Sequence, residues 1–565
     1  MKMLDDLKRR YTVDRKNLGA DFIAGLITGV ASIPDSMASA ILAGISPLTG
    51  LYTMIVATPI GALFTSSQMM HISTTGALSL AVGSSLYGVP PDQQLHAVFL
   101  LALMMGVIQT AMGLFKMGFL VRFVPNAVMT GFLNAVGVLI IVGQFANFTG
   151  YRSPNANAIA RALDTLLNVR NMVLPVLVVG VVCIVLMLVL PRIKRVSQWS
   201  LALAMAGASA LAAFGSFDVV PLVGDVTTVP RALPGFMIPD FKLFLDMIVP
   251  AFALSIIGLV QGAGISQGYP DRDGKFPDPS GDFLGQGVAN VATSFFQGMP
   301  SGGSLSGTAL VVSAGARTRW ANFLCGVLIA VTVLLFADVV KLIAMPALVG
   351  MLIVVGYQTI KPVNIRTVWQ TGRVPRVVMS ITFLGTLMMP LQYAVLLGVA
   401  TSVLLYVFQG ANRVRLVEMV PVKGGFPMAQ PVPRQLASRR VTGLLPYGSL
   451  FYAAAKTLEE NLPAADQARQ AVVIFLLRGY DEFGSTMIGV LDRYTRTIQG
   501  NGGKVMLAGV SEGVFQQIER TGLLKLIGRQ NVFLAQPQWG AAANEALEAA
   551  QAWLESLDQP GGQAG

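Results

Sequence analysis

For its first 410 or so residues the chain alternates apolar runs with short polar or basic punctuation, and then its character changes. About fourteen apolar segments can be counted, several of about 17–25 residues, the length that crosses a hydrocarbon core as a helix, and several shorter or broken. The first covers roughly 22–42; later ones end near Phe64, Phe115, Phe145, Leu190 and Phe214. The pattern restarts at Phe241 and runs to a last span ending before Arg413. Two segments are interrupted. One is His71-Ile72-Ser73-Thr74-Thr75-Gly76 leading into 77–83; the other is Gln297-Gly298-Met299-Pro300-Ser301-Gly302-Gly303-Ser304-Leu305-Ser306-Gly307-Thr308 leading into 309–314. Glycine and proline unwind such stretches, and Ser304, Ser306 or Thr308 can cap the helix that follows. A helix that starts inside an apolar environment aims unpaired N–H groups and a positive dipole end at whatever lies before it. Lipid excludes bare backbone, so each break is buried in protein or lines a cavity. Two interrupted segments, one per half, point to a transporter's substrate site. Two ordinary small-residue helix contacts are the plainer alternative.

From about Val420 charges become frequent and soluble periodicities appear. The run 471–477 predicts a buried strand. The spacing of Met487, Ile488, Leu491 and Tyr494 predicts a helix over 485–498. Gly502-Gly503 turns into a strand at 504–507; a helix over 514–520, a short strand at 531–533 and a final helix over 544–557 follow. Alternating strand and helix make a small α/β unit, assigned to 436–558, with a linker at 411–435 and a disordered tail at 559–565.

Composition settles the class. Hydrophobic residues make up 53% and charged ones 12%, against about 25% charged in ordinary soluble domains; the mean hydropathy is +0.63. The chain is an α-helical polytopic membrane protein. Its net charge of +11 lies mostly between apolar segments, a positive-inside pattern and not a nucleic-acid footprint. Lys2, Lys8, Arg9, Arg10, Arg15 and Lys16 place segment 1–18 in the cytoplasm, with no cleavable signal in view. Basic clusters at 192–195 and 361–376, counted over seven plus seven segments, fall on that same side. Seven is odd, so the halves 19–215 and 241–410 of a transport domain 19–410 are inverted repeats, and the α/β unit is cytoplasmic. Asp35, in Ile33-Pro34-Asp35-Ser36-Met37, sits in the middle of the first span, where a carboxylate is costly and by default functional. Satisfaction by Ser36 or by a helix end is the structural alternative. Cys183 and Cys325 lie in apolar runs and read as buried small residues; two histidines, His71 and His96, are too scattered for a metal site. No P-loop, carboxylate pair, metal cluster or Ser/His/Asp arrangement speaks for an enzyme.

Asp21-Phe22-Ile23-Ala24-Gly25-Leu26, Ile33 to Ala38, Gly50-Leu51-Tyr52, Ser66-Ser67-Gln68, 73–80, 290–303 and Ala314-Gly315-Ala316-Arg317-Thr318 together resemble the sulfate permease (SulP-type) anion transporter family. Arg478 to Ser485, Lys504 to Gly509 and Glu519-Arg520-Thr521-Gly522-Leu523 make the C-terminal unit similar to a STAS domain. The resemblance implies fourteen segments in two inverted repeats, a core domain moving against a gate domain, and a homodimer. It implies a small anion as substrate: sulfate, bicarbonate, chloride or a dicarboxylate. The substrate would bind between two half-helix N-termini, at Thr74, Thr75, Gly76 and Ala77 and at Gly303, Ser304, Leu305 and Ser306. Relatives commonly carry an acidic residue where this chain has Gln261, an arginine where it has Gly307, and a glutamine where it has Asp35. A carboxylate without an arginine poorly accommodates a permanent dianion, so Asp35 is expected to titrate and couple transport to protons; sodium held by Asp35, Gln261 and backbone carbonyls is the weaker version. In the STAS-like unit Gly484 precedes Ser485 where soluble relatives have an aspartate, so packing or a cytoplasmic regulatory partner is expected over a phosphoswitch. A carrier of an uncharged or nucleobase-like solute, and a membrane sensor signalling through the STAS-like unit, are the other readings.

Overall fold

The computed structural model describes residues 17–119, 124–155, 158–215, 219–271, 274, 276–411, 414–422, 427–448, 450 and 452–557. Nearly all of the expected N-terminal segment 1–18, the tail 559–565 and Arg413 lie outside the described residues.

The first compact unit ends at Ser402. Its first half consists of α1 (Leu18–Leu42), α2 (Pro47–Phe64), a three-residue strand β1 (His71–Ser73) running into the short α3 (Gly76–Ser85), then α4 (Gln94–Leu114), α5 (Asn126–Thr149), α6 (Ala158–Leu167), α7 (Leu174–Val189) and α8 (Ser200–Phe214). The second half repeats the sequence of shapes: α9 (Phe244–Gly268), α10 (Pro279–Phe295), strand β2 (Gly302–Ser304) into the short α11 (Leu305–Ser313), α12 (Trp320–Lys341), α13 (Met345–Thr359), α14 (Pro362–Thr371), α15 (Arg373–Met388) and α16 (Leu391–Ala411). Setting α6 and α14 aside leaves seven segments in each half. Among the described residues nine helical stretches are long and apolar enough to cross a membrane; the half-helices, α8, α10 and α15 are shorter.

Packing repeats between the halves as well. Helix α1 lies on α12 as α9 lies on α4, α3 on α9 as α11 on α1, and α5 against α13 is its own counterpart. That exchange symmetry is what two inverted repeats produce. It sorts the helices into a group formed by α1–α4 and α9–α12 and a second group formed by α5, α7, α8, α13, α15 and α16. The two helices set aside were not foreseen: the loop expected between the fifth and sixth spans contains α6, and the basic stretch after Tyr357 contains α14. Both are short. Helix α6 leaves Leu163, Leu166 and Leu167 exposed, and α14 leaves Val363 and Trp369 exposed, so the polar residues between their apolar positions hid them from a search for spans.

The second compact unit, from Val403, has one mixed sheet. Its strands are β3 (Arg415–Val420), β4 (Met428–Pro431), β5 (Val441–Tyr447), β6 (Val472–Leu476), β7 (Lys504–Val510) and β8 (Val532–Leu534), in the order β4-β3-β5-β6-β7-β8. The strands from β5 to β8 are parallel, while β3 and β4 are antiparallel. Helices α17 (Tyr452–Asn461), α18 (Ser485–Gly500), α19 (Glu512–Arg520), α20 (Leu523–Ile527) and α21 (Ala541–Ser556) cover it. The stretch 411–435, expected as a linker, instead supplies β3 and β4. Strand β3 pairs with β5 on one side and β4 on the other, and Glu418 within it is buried and ion-paired to Arg440 at 2.9 Å. Half-exposed strands with charged residues read as linker because only pairing covers their backbone.

Candidate functional site

The two interrupted segments meet. Strands β1 and β2 pair antiparallel, setting His71 opposite Ser304, Ile72 opposite Gly303 and Ser73 opposite Gly302. This pairing settles the backbone groups that the sequence left unpaired inside an apolar domain. Each half-helix then starts with a hydroxyl cap. Thr75 Oγ1 accepts from the Leu78 N–H at 3.4 Å, and Ser304 Oγ from the Gly307 N–H at 3.1 Å. The second helix therefore begins at Leu305, four residues before the expected 309, and Thr308 is no cap: its hydroxyl donates to the Ser304 carbonyl at 2.6 Å.

A ladder of amides holds β2 in place. The Gly303 N–H donates to Gln286 Oε1 at 3.2 Å, and Asn290 Oδ1 accepts from both the N–H and the hydroxyl of Ser301, at 2.8 and 3.0 Å. Asn290 Nδ2 reaches Gln109 Oε1 at 3.0 Å and the Ser301 carbonyl at 2.8 Å. Gln109, Gln286 and Asn290 are fully buried. Gly303 is required by contact: a Cβ there would sit 2.9 Å from Ile265 and 3.0 Å from the Cα of Gly262 on α9.

The expected site residues split into two environments. On the side of α3, Thr75 Oγ1 donates to Gln261 Oε1 at 3.2 Å, so Gln261 is engaged at the first half-helix. Thr74 and Ala77 are buried, and the Thr74 hydroxyl has no partner among the described residues. On the side of α11, a cavity of about 180 Å³ is bounded by Ser32, Asp35, His71, Ser306, Gly307 and Leu310 from the first helix group. The second group closes it with Met187, Pro191, Ser200, Leu201, Val355 and Gln358. Asp35 and Ser306 thus share a cavity between the two groups, whereas Gln261 does not line it. Asp35 has no hydrogen-bond or ion-pair partner among the described residues, and Ser36, its proposed partner, turns its hydroxyl to the Ile33 carbonyl at 3.0 Å instead.

Two residues outside the expected set belong here. His71 is 1% exposed, and its Nδ1 lies 2.8 Å from Asn322 Oδ1 on α12. Asn322 Nδ2 donates to the carbonyls of Met69 and Met70, which fixes the amide with its oxygen toward the ring. The Nδ1 atom must then bear the hydrogen. Gly307 leaves room for the ring: a Cβ there would approach His71 Cδ2 to 2.3 Å. His71 stood inside the polar break, which was the available signal; nothing local marks Asn322.

Buried charges elsewhere in the same helix group have protein partners. Arg319 is buried, and its Nη1 donates to the carbonyls of Ala62, Leu63 and Thr65 at the end of α2. Asp21 Oδ1 accepts the N–H groups of Arg317 and Thr318 at 2.6 and 3.0 Å, and Asp282 accepts from Ser66 Oγ, the Ser67 N–H and Ser266 Oγ. These buried charges hold helix ends and loops together and do not reach the cavity.

Two half-helices joined by a strand pair, within inverted repeats, define a polytopic helical membrane protein. Residues 18–409 match the sulfate permease family and residues 439–536 the STAS domain, so the chain belongs to the sulfate permease family and ends in a STAS domain. The putative sulfate transporter YvdB of Bacillus subtilis is 27% identical over 91% of this chain and 95% of its own length. The probable sulfate transporter 4.2 of Arabidopsis thaliana is 24% identical over 91% of this chain and 79% of its own. Among solved structures, the murine Solute Carrier 26 family member A9 anion transporter, in its inward-facing state, superposes with a TM-score of 0.83. The identity is 20%, over 96% of this chain and 92% of that one. The transmembrane domain of a cyanobacterium bicarbonate transporter, BicA, gives 0.60 at 22% identity, over 69% of this chain and 98% of that one.

Proposed function

We propose that the chain is a secondary transporter that carries a small anion across a membrane by moving the α1–α4/α9–α12 group against the other helices. The observation that carries this is the cavity between the two groups, lined by Asp35 and Ser306 at the start of a half-helix whose neighbour strand pairs with that of the other. Half-helix N-termini supply N–H donors and partial positive charge, which suit an anion without a full cation. Thr74, Thr75, Gly76, Ala77, Gly303, Ser304, Leu305 and Ser306 form the proposed substrate site, with Ser306 contacting the cavity directly. YvdB and transporter 4.2 are described as sulfate transporters and BicA as a bicarbonate transporter, so sulfate, bicarbonate, chloride and dicarboxylates remain the candidate class.

Asp35 is the proposed proton-coupling residue. Its lack of a partner among the described residues favours the proton version, and the engagement of Gln261 by Thr75 disfavours a sodium site shared by Asp35 and Gln261. We place the protein in the cell membrane with its N-terminus and STAS domain in the cytoplasm, as a homodimer whose STAS domain packs or binds a regulatory partner.

The test is uptake of labelled sulfate, bicarbonate, fumarate and uracil into proteoliposomes with and without an inward proton gradient. Gradient-driven anion uptake is expected. Uracil uptake alone would leave the fold and overturn the substrate class, and no flux of any solute would favour a sensor.

A further inference from the structure

We propose that His71 is the group that hydrogen-bonds the transported anion, through Nε2, and that the anion binds together with one proton on that nitrogen. The proposal rests on the anion-transport reading and deepens it.

Three observations place it. First, the Asn322 amide is locked by the Met69 and Met70 carbonyls, so it can only accept from the ring, and Nδ1 keeps its hydrogen in every protonation state. All titration of His71 is thereby confined to Nε2. Second, Nε2 has no protein partner among the described residues, although the residue is otherwise enclosed, and His71 is one of the cavity's lining residues. Third, Gly307 removes the side chain that would occupy the ring's place, so the imidazole lies against the first turn of α11 beside Ser306. A cationic ring there supplies a charged donor at the first turn of α11.

The surroundings restrict the chemistry. Asp35 on α1 is the other titratable group lining the cavity; α7 and the turn after it, α8 and α13 contribute Met187, Pro191, Ser200, Leu201, Val355 and Gln358, none of them charged. Thr308 on α11 donates elsewhere and accepts from the His71 N–H at 3.0 Å. Tyr52, the titratable residue of α2, lies outside the lining, and Arg319 at the head of α12 is turned to the α2 carbonyls. With Nε2 unprotonated the ring offers an anion only a lone pair, beside the Asp35 carboxylate, and the neutral donors of the cavity are the hydroxyls of Ser32, Ser200 and Ser306 and the Gln358 amide. An oxyanion without a hydrogen of its own gains a charged donor, at the ring, only when Nε2 takes a proton from water. Anion and proton then enter together and leave together, with no covalent change.

The chain has only two histidines. Full-length His96→Gln protein labelled with 15N-histidine therefore reports on His71 alone. Titration over about pH 5–8, where an imidazole changes charge, should show a neutral ring protonated at Nδ1. Sulfate, bicarbonate or fumarate, whichever the wild type carries, should shift the Nε2 signal and move the midpoint upward. In liposomes His71→Gln should raise KM at least about tenfold, the loss of one charged hydrogen bond. Asn322→Asp, which stabilises the imidazolium, should move the pH optimum upward. A carried anion that leaves Nε2 and its midpoint unmoved overturns the proposal, as does unchanged KM in His71→Gln with an unshifted optimum in Asn322→Asp. If His71→Gln does not fold, the labelled titration and Asn322→Asp still decide. Absence of flux for all three anions in wild type overturns the transport reading and this inference with it; flux indifferent to His71 overturns this inference alone.

Discussion

Asp35 and Arg319 show how little a residue's type says without its neighbours. Both are charged groups in an apolar domain. Arg319 spends its guanidinium on the three carbonyls at the end of α2, whereas Asp35 faces a cavity and has no such partner. Arg319→Met is expected to leave those carbonyls unpaired at a cost of about 2–3 kcal/mol, seen as a Tm lower by several degrees in detergent; an unchanged Tm would contradict the capping role. Asp35→Asn is expected to fold normally, since no hydrogen bond among the described residues is lost, and to weaken the acceleration of anion uptake by an inward proton gradient, leaving the part carried through His71. Retention of the wild-type pH profile in that variant would make Asp35 structural. Asp35 was legible from the sequence because a carboxylate in the middle of an apolar run is rare for an energetic reason. The role of Arg319 was not legible in the sequence, because the carbonyls it satisfies lie on a different helix. His71 and Asn322 became a pair only through packing.

The half-helices are the elements on which the site depends. Threonine before the first and serine before the second, with glycine and proline upstream of the second, made both starts readable within a few residues. What the local pattern did not contain was the strand pairing of β1 with β2, since three-residue strands have no period to detect. Gly303→Val tests that pairing: the added side chain collides with Ile265 and Gly262, so β2 must retreat from α9. Uptake is expected to fall at least about tenfold, in line with what small misplacements cost a binding site, with expression retained. Wild-type uptake by this variant would show that the close approach is dispensable.

At the scale of the whole molecule, the proposed mechanism carries the substrate past the cavity by relative movement of the two helix groups. Leu201→Trp on α8 fills the cavity from the second group and should block uptake without lowering Tm; full uptake would place the route elsewhere. The STAS unit gives a separate test. A fragment 414–557 is expected to fold alone, whereas a fragment beginning at 436 lacks β3 and β4, exposes the edge of β5 and leaves Arg440 without Glu418. Circular dichroism and thermal unfolding of both would settle it; equal stability would make β3 peripheral.

Apolar run lengths, the two polar breaks, their capping hydroxyls and the odd number of segments per half are local or additive properties. The sequence by itself therefore determined the membrane class, the repeat, the α/β tail and the family. Tertiary structure alone decided what each polar group meets: that β1 pairs with β2, that Gln261 serves Thr75 and not Asp35, that His71 is pinned by Asn322, and that 411–435 completes a sheet. The reason is physical. Helix formation and membrane insertion are driven by the residues within a segment, while a buried polar atom is satisfied by whichever partner the packed chain brings near, however far away it lies in sequence.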